Sequence, residues 1–569
     1  MKAAFLLRVL SATSLLVNAN ANSIDHQQRE DSLEDFIKAQ QTISLNGMLK
    51  NIKDGIVVSI LIERLSVTDI PEISDDITDY VHSQRDLQFT RNPSGDDNTG
   101  GPGEPKFQFN GNVFKGAWNR PQQDGPALRA TAMVIHANNL LADAQGTVWA
   151  SSVRTFVQNF IWPIVFDDLK HTERYWNQTS FDLWEEVKGS SFFTLSASHR
   201  ALVEGMALGK TLGKYCEGCA VTAPQILCFL QDFWNGKHIT ANLNAAHGRS
   251  GIDTSSILSS IHTYDPQAGC VDSTFQPCSS RALANHKVVT DSFRPLYGIN
   301  DGSSQNRAVG VGRYPEDADH GGNPWYVTTL AAAEQLYLAR LQWQDQKQLT
   351  IDETSLPFFR DLLPTISIGT YPSRSASATF ESVLSAVQAY ADGYMAMVRK
   401  YTPPDGGLAL QFDKNNGAPV SATDFTWSHA AFYTAANRRG GVRGPSWGST
   451  RNDKPEAQTC QCNVHVTFNV FVNHPSTDNH VFVTGNVPTL GNWDPKSARE
   501  VREVRAHWIV ENASYTGGID LPASARTEYQ YFMRNILNWD EVREEDRFRR
   551  HITTGACGTS MNVSDFWNH

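Results

Sequence analysis

The chain has 569 residues, too many for one ordinary domain, so at least two are expected. Charged residues make up 19% and hydrophobic residues 40%, an ordinary globular balance; a net charge of −11 with no Lys/Arg stripe argues against a nucleic-acid partner. Fourteen Trp supply flat apolar faces of the kind that suit sugar rings, although a Trp with no motif around it is by default core.

Residues 1–21 carry one early Lys, an apolar run and small residues at Ala19 and Ala21, the pattern of a cleaved secretory signal peptide. No later run is long and apolar enough to span a bilayer, so a secreted, extracellular chain with no membrane partner is expected. Three Asn-X-Ser/Thr sequons, at Asn177, Asn512 and Asn562, fit a glycoprotein of that compartment.

From about residue 30 to 440 the pattern is helical. Apolar residues recur at helical spacing over 128–144, 151–169, 199–213, 223–234, 328–343 and 380–400, and Ser421 or Asp424 is placed to cap a further helix through Asn437. Loops rich in Gly, Pro and Asn, such as 92–106, separate these runs, and long loops on a helical scaffold are where a site is built. After about residue 455 the texture changes to β-formers over 464–473, 480–486, 514–522 and 528–533, the pattern of a small antiparallel β-sandwich. The junction 451–462 has no Ser/Thr-rich stalk, so the two domains are expected to sit close together. The division expected is a signal peptide over 1–21, a helical domain over 22–455 and a β-domain over 456–569.

The eight Cys form an even number, which in a secreted chain suggests disulfides. Cys216-Glu-Gly-Cys219 has no second CxxC or His pair to complete a zinc site, and neither a metal nor an organic cofactor is expected.

The densest chemistry lies in the segment from Tyr175 to Thr194. It sets Asp182, Glu185 and Glu186 within five residues, between Trp176, Trp184 and two Phe. Glycoside hydrolysis needs paired carboxylates, one kept protonated by a partly apolar pocket. The plainer alternative is a helix N-terminus whose dipole favours acidic residues.

YWNQTSFDLWEEVKGSSFFT resembles the catalytic-acid segment of the fungal glucoamylases, glycoside hydrolase family 15. The likeness continues through 114–133, 260–294, 308–337 and 422–439. It implies an (α/α)6 toroid with the active site in a funnel at one end. It also implies stepwise release of glucose, with inversion, from non-reducing ends of α-1,4-glucans and more slowly at α-1,6 branches. Starch and maltooligosaccharides are then the expected partners and a monomer the expected state. Glu185 matches the general acid, expected buried in a sugar-sized hollow ringed by flat side chains. Asp182 matches a position to which a proton-acceptor role is sometimes given, and helical i, i+3 spacing aims both to one side. Inversion requires carboxylates roughly 6.5–9.5 Å apart on opposite faces of the sugar. Asp182 is therefore read as a support for the acid. Trp118 matches an aromatic beside the cleavage point, Arg313 a residue gripping glucose hydroxyls, Glu186 a hydroxyl acceptor, and Trp325 and Trp427 pocket walls. The resemblance also implies disulfides Cys216–Cys219, Cys228–Cys460, Cys270–Cys278 and Cys462–Cys557.

The C-terminal part resembles carbohydrate-binding module family 20, most clearly over 481–495. Trp493 falls on a starch-stacking tryptophan, Trp539 lies near the second, Trp508 matches an aromatic of the second site, and Glu528 a polar site residue. Gln530 stands where the family usually has Lys.

Two departures bear on activity. The family's general base is a Glu in a Ser-Glu-Gln-Tyr/Phe-Asp stretch, and here the corresponding run is Ala409-Leu410-Gln411-Phe412-Asp413. Leucine cannot take a proton from water. Second, after Ser59 the family carries a stretch with Tyr-Thr-Trp-Thr-Arg-Asp, whose Arg and Asp hold the terminal glucose. This chain runs directly into Ile60–Leu65, whether by deletion or by mis-splicing of its coding sequence. Two readings follow: a glucan 1,4-α-glucosidase of impaired rate, and a starch-binding pseudoenzyme.

Overall fold

The computed structural model describes residues 32–53, 74–108, 110–245, 248–374, 378–448, 463–473, 479–504, 512–523, 525–535, 537–538, 542–545, 549–555 and 559–567. The expected signal peptide, the stretch after Ser59, the junction 451–462, Trp508 and Trp539 lie outside these residues.

The helices are α1 (Leu33–Lys53), α2 (Ser74–Phe89), α3 (Asp124–Ala144), α4 (Ala150–Phe156), α5 (Trp162–Tyr175), α6 (Phe192–Leu212), α7 (Glu217–Leu230), α8 (Ser255–His262), α9 (Ser280–Ser292), α10 (Tyr326–Gln346), α11 (Leu356–Leu362), α12 (Thr379–Tyr401) and α13 (Thr426–Arg439). Their burial sorts them into two rings. In α10 every residue from Tyr326 to Ala339 is buried, so the helix is enclosed on all sides. In α12 the buried residues, Phe380, Val383, Leu384, Val387, Tyr390, Ala391 and Tyr394, recur every three or four positions, the single apolar stripe of a helix with one face in water. The enclosed helices α3, α6, α8, α10 and α13 follow one another side by side, and α5, α7, α9, α12 and α1 back them in turn. This is the alternating plan of an (α/α) toroid.

Local chemistry explains the helix ends. Ser191 caps α6 through the Thr194 N–H, and Gly213 closes it at φ 71°, a left-handed conformation that costs glycine nothing. The run 151–169 is helical as read, with a π-turn at Val157–Ile161 before α5, where Pro163, lacking an N–H, is tolerated in the first turn. One expectation needs correction. Neither Ser421 nor Asp424 caps α13; both have positive φ, Phe425 occupies the cap position, and the Asp424 carboxylate pairs instead with His429 Nε2 at 2.7 Å.

Short strands trim the loops of the helical domain: β1 (Ser180–Phe181), β2 (Lys188–Ser191), β3 (Asn242–Leu243), β4 (Gln348–Ile351), β5 (Gly369–Pro372), β6 (Gln411–Phe412) and β7 (Pro419–Val420). The second domain holds β8 (Asn463–Asn473), β9 (Asn479–Gly485), β10 (Arg499–Val504), β11 (Asn512–Pro522), β12 (Arg526–Asn535), β13 (Val542–Glu544), β14 (Arg550–Thr553) and β15 (Ser560–Phe566). Along β8, Val464, Val466, Phe468, Val470 and Val472 are buried and their neighbours are not, the period-two pattern of a strand with one face on a core. The neighbour order is β13-β12-β9-β10-β11-β8-β15. β10 pairs β9 with its first half and β11 with its second, so it passes between the two layers. The sandwich is not purely antiparallel: β15 pairs β8 in parallel, Met561 opposite Val466. No helix among the described residues is long and apolar enough to cross a membrane.

Cys216–Cys219 and Cys270–Cys278 are bonded as the resemblance implies. Cys228 is also in a disulfide, while Cys460, Cys462 and Cys557 lie outside the described residues.

Candidate active site

The candidate residues come from one end of the helical domain. Trp118 precedes α3, Glu185 and Glu186 precede α6, Arg249 and Asp253 precede α8, and Arg313 and Trp325 precede α10. Leu410 precedes α13, and Trp427 lies in its first turn. The loops feeding the N-terminal ends of the enclosed helices therefore gather these residues at one end.

The segment 182–187 is not helical, so the i, i+3 argument fails. It is a tight loop between the antiparallel strands β1 and β2. Asp182 folds it: the buried carboxylate accepts the N–H groups of Glu186 (3.0 Å) and Val187 (3.1 Å) on Oδ1, and the Asn242 amide (3.1 Å) on Oδ2. Through these bonds Asp182 shapes the loop. Glu185 sits at φ 63°, a left-handed conformation costing a non-glycine residue of order 1 kcal/mol or more. The Asp182 bonds hold it there, with the Asn119 amide donating to the Glu185 carbonyl at 2.6 Å.

Glu185 is half-buried rather than enclosed. Its Oε1 accepts from Trp118 Nε1 at 3.2 Å. The Trp118 ring, 38% exposed, carries the Lys106 ammonium 3.3 Å from its centroid. The loop bearing Trp118 is wrapped on Arg120, whose guanidinium donates to the carbonyls of Phe114, Gly116 and Trp118 and is held by the buried Glu104 carboxylate at 2.7 Å.

Glu186 is the hub of a second group. It accepts from Arg313 (3.0 Å), Arg249 (2.6 Å) and the Tyr314 hydroxyl (2.5 Å). Burial raises its carboxyl, but the Tyr314 hydroxyl and the Arg313 and Arg249 guanidinium groups outweigh that and hold it below the usual carboxylate range. Arg313 is fixed from behind by a forked pair of bonds to Asp317 (2.7 and 2.8 Å) and faces the Trp184 and Trp325 rings at 5.5 and 5.1 Å.

The wall is aromatic. The Trp184 ring lies 5.8 Å from Trp325 and 6.2 Å from Trp427. Trp184 is anchored by its N–H to Asp253 Oδ1 at 2.8 Å, and burial pushes the Asp253 carboxyl up to about 7. Asp124, in the first turn of α3, is pushed up to about 6, first by burial and further by the neighbouring Asp182 and Glu185 charges.

Leu410 stands before β6, its N–H donating to the Ala422 carbonyl (2.8 Å) and its carbonyl accepting from Tyr326 N–H (3.4 Å). The side chain is half-buried and packs against the cluster that contains Trp184 and Trp325. Next to it, Trp325 and Gln411 pair through an isolated bridge. The hydroxyl and carboxylate chemistry found beside Glu185 has no counterpart on the Leu410 side chain.

The structure places Trp118, Asp182, Glu185, Glu186, Arg313, Trp325 and Trp427 at the same end of the helical domain. Asp124, Asp253, Lys106, Arg249, Tyr314 and Asp317 were missed as site residues. Tyr314 and Asp317 flank the Arg313 motif, and that signal was available; Asp253 lies in a serine-rich run with none.

In the β-domain, Trp493 ends a 3-10 turn over Pro488–Trp493, half-exposed, with the Arg549 guanidinium 4.3 Å from its ring centroid. It is a surface ring, not sandwich core. Glu528 on β12 donates its backbone N–H to Asn486 Oδ1 at 2.8 Å, and the Gln530 amide donates to the Glu545 carbonyl at 2.8 Å.

Comparison with known proteins gives the same division. Residues 69–437 match the family described as Glycosyl hydrolases family 15, and residues 463–564 match the Starch binding domain. The "Glucoamylase" of Neurospora crassa is 42% identical over 555 residues, 90% of this chain and 86% of that protein. "Glucoamylase P" of Amorphotheca resinae is 43% identical over 495 residues, 82% of this chain and 77% of that protein. Among solved structures, "Glycoside Hydrolase Family 15 Glucoamylase from Hypocrea jecorina" superposes with a TM-score of 0.71 at 38% identity, covering 95% of this chain and 100% of that one.

Proposed function

The chain belongs to glycosyl hydrolase family 15 and ends in a starch-binding domain, and on that premise we propose that Glu185 is the acid through which it releases glucose, with inversion, from non-reducing ends of starch and maltooligosaccharides. The observation that carries this reading is the Glu185 carboxylate bonded to Trp118 Nε1, one residue from the Glu186–Arg313–Tyr314 cluster. Glu185 protonates the departing glycosidic oxygen. Glu186, Arg313 and Arg249 offer the charged donors and acceptors that sort sugar hydroxyls. Trp118 and the Trp184–Trp325–Trp427 wall offer the apolar faces of the ring a surface. Asp182 and Asp253 act through the groups they hold, the first through the acid loop and the second through Trp184.

Inverting hydrolysis also needs a base to take the proton from water, and Leu410 occupies its place. We therefore propose a low rate, reduced by the roughly 10²–10⁴-fold that general-base assistance supplies. The second reading, a starch-binding pseudoenzyme, is favoured by this same residue. A glucose-release assay on maltose beside a starch pull-down separates them: binding with measurable release supports the impaired enzyme, and binding without release supports the pseudoenzyme.

We divide the chain as 1–21, 22–455 and 456–569, and the two matched spans fall inside the second and third of these. Residues 1–21, the sequons and the two described disulfides support secretion.

A further inference from the structure

A cleft of about 730 Å³ opens between the C-terminal parts of α2 and α5, with Asn98 and Pro102 of the loop 92–106 against it. That volume falls within the roughly 300–1,000 Å³ of small-ligand sites. The chain leaves the cleft at Tyr175 and enters β1 at Ser180, so this wall adjoins the strand that leads to the acid loop. None of the residues placed in the acid loop or its aromatic wall lines it.

The lining is aromatic and polar at once. Phe89 is 52% exposed, and the Arg85 guanidinium lies 4.4 Å from its ring centroid. The Tyr175 ring rests on the buried His171 ring, with centroids 4.5 Å apart. Burial, helped by the Arg129 and Arg174 charges, pushes the His171 imidazole down to about 3, so the ring is neutral. Its Nε2 is bonded to Gln123 Oε1 at 2.6 Å, which leaves Nδ1 an acceptor, and Nδ1 has no partner among the described residues. The charges are matched. Arg85 pairs with Asp167 and Lys170 with Glu173 at 2.8 Å, while Arg174, with Asp97 also in the lining, donates to the Asn98 carbonyl at 2.6 Å. A phosphate or carboxylate ligand would have to break these pairs to enter. A sugar hydroxyl both donates and accepts, so it can bridge a cation and its carboxylate and leave the pair standing. The apolar face of a sugar ring suits the exposed rings.

We infer that this cleft is a carbohydrate site of the helical domain, separate from the acid loop and from the β-domain, and that it holds a short run of an α-glucan chain through Phe89, Tyr175 and the paired charges around them. That the ligand is a neutral sugar rests on the cleft alone; that it is an α-glucan rests on the function proposed above.

The test uses the full chain labelled with fluorotyrosine and read by fluorine NMR, the Tyr175 signal being identified by its absence in Tyr175→Phe. The background is Glu185→Gln with Trp493→Ala, which keeps the probe uncut and removes the β-domain ring. The expected result is a saturable shift of the Tyr175 signal with maltotetraose and none with inorganic phosphate. Phe89→Ala should weaken that affinity about tenfold. Its melting temperature should match that of the parent, because the ring stands half in water. A Tyr175 signal unmoved by maltotetraose, moved by phosphate instead, or moved with undiminished affinity in Phe89→Ala overturns the site. An equal shift with cellotetraose overturns the α-glucan assignment. Glucose release by Leu410→Glu and starch pull-down by the unmodified chain report on the proposed function separately, so with both intact a silent Tyr175 signal counts against the cleft alone.

Discussion

The loop between β1 and β2 and the segment entering β6 lead into enclosed helices of the same domain, yet they are built to different standards. The first holds Glu185 in a left-handed conformation, with three donors bonded to Asp182 and an amide to the Glu185 carbonyl. The second keeps its backbone bonds to Ala422 and Tyr326 but sets an alkyl side chain where the family's base stands. On the reading proposed above, the backbone entering β6 is bonded in place while its side chain, an alkyl group, offers neither acid nor base.

The comparison can be broken first at Asp182. Asp182→Ala leaves three donors without an acceptor, two of them buried, at about 1–3 kcal/mol for each buried one. The expected loss is about 4–5 kcal/mol of stability by denaturant unfolding, together with loss of the Glu185 geometry and of starch-derived glucose. An equally stable variant would show that the acid loop does not depend on this carboxylate. No such penalty is expected for substitutions of Leu410 by other residues of its size.

A second test concerns pH. Asp253 has a folded-state value of about 7, above the ordinary 3.8, because of burial. Between those values the folded protein keeps a proton that the unfolded chain has released, so stability falls as pH climbs from about 4 to 7. The contribution lost across that window is on the order of 4 kcal/mol. Asp253→Asn, which keeps an acceptor for Trp184, should flatten the slope of melting temperature against pH. An unchanged slope contradicts the assignment.

Trp118→Phe sharpens the acid side alone. It keeps a ring under Lys106 but removes the donor to Glu185, and a hydrogen bond to a charged group is worth about 1.5–3 kcal/mol. Glucose release measured in the Leu410→Glu background should drop about 10- to 100-fold, chiefly in kcat. Trp493→Ala should leave both sides untouched and weaken starch-granule binding about tenfold, equivalent to about 1.4 kcal/mol. Unweakened pull-down would place starch capture on another surface.

What the sequence disclosed follows from how local each signal is. Most helices of the two rings announced themselves by periodicity, which needs no tertiary information, but α1, α8 and α9 were not among the runs read from the sequence. The acid loop was legible as a carboxylate-and-Trp motif, but its backbone was not. Asp182 and Glu185 three apart looked helical, and only the pairing of β1 with β2 and the reach of Asn242 from β3 make it a turn. Asp124 and Asp253 were illegible because their altered acidity comes from burial, which distant residues create. The parallel placement of β15 beside β8 joins residues about a hundred apart and leaves no local trace. Leu410 was legible as a departure because the residues around it still keep the family's pattern.

The central claim is that the acid half of the pair is in place and the base half is missing at one position. Initial rates of glucose release from maltose, compared between the unmodified chain and Leu410→Glu, test it most directly. The account predicts a rise of about 10²–10⁴-fold on restoring the carboxylate. A Leu410→Glu protein that folds, binds starch and releases glucose no faster than the unmodified chain would contradict it.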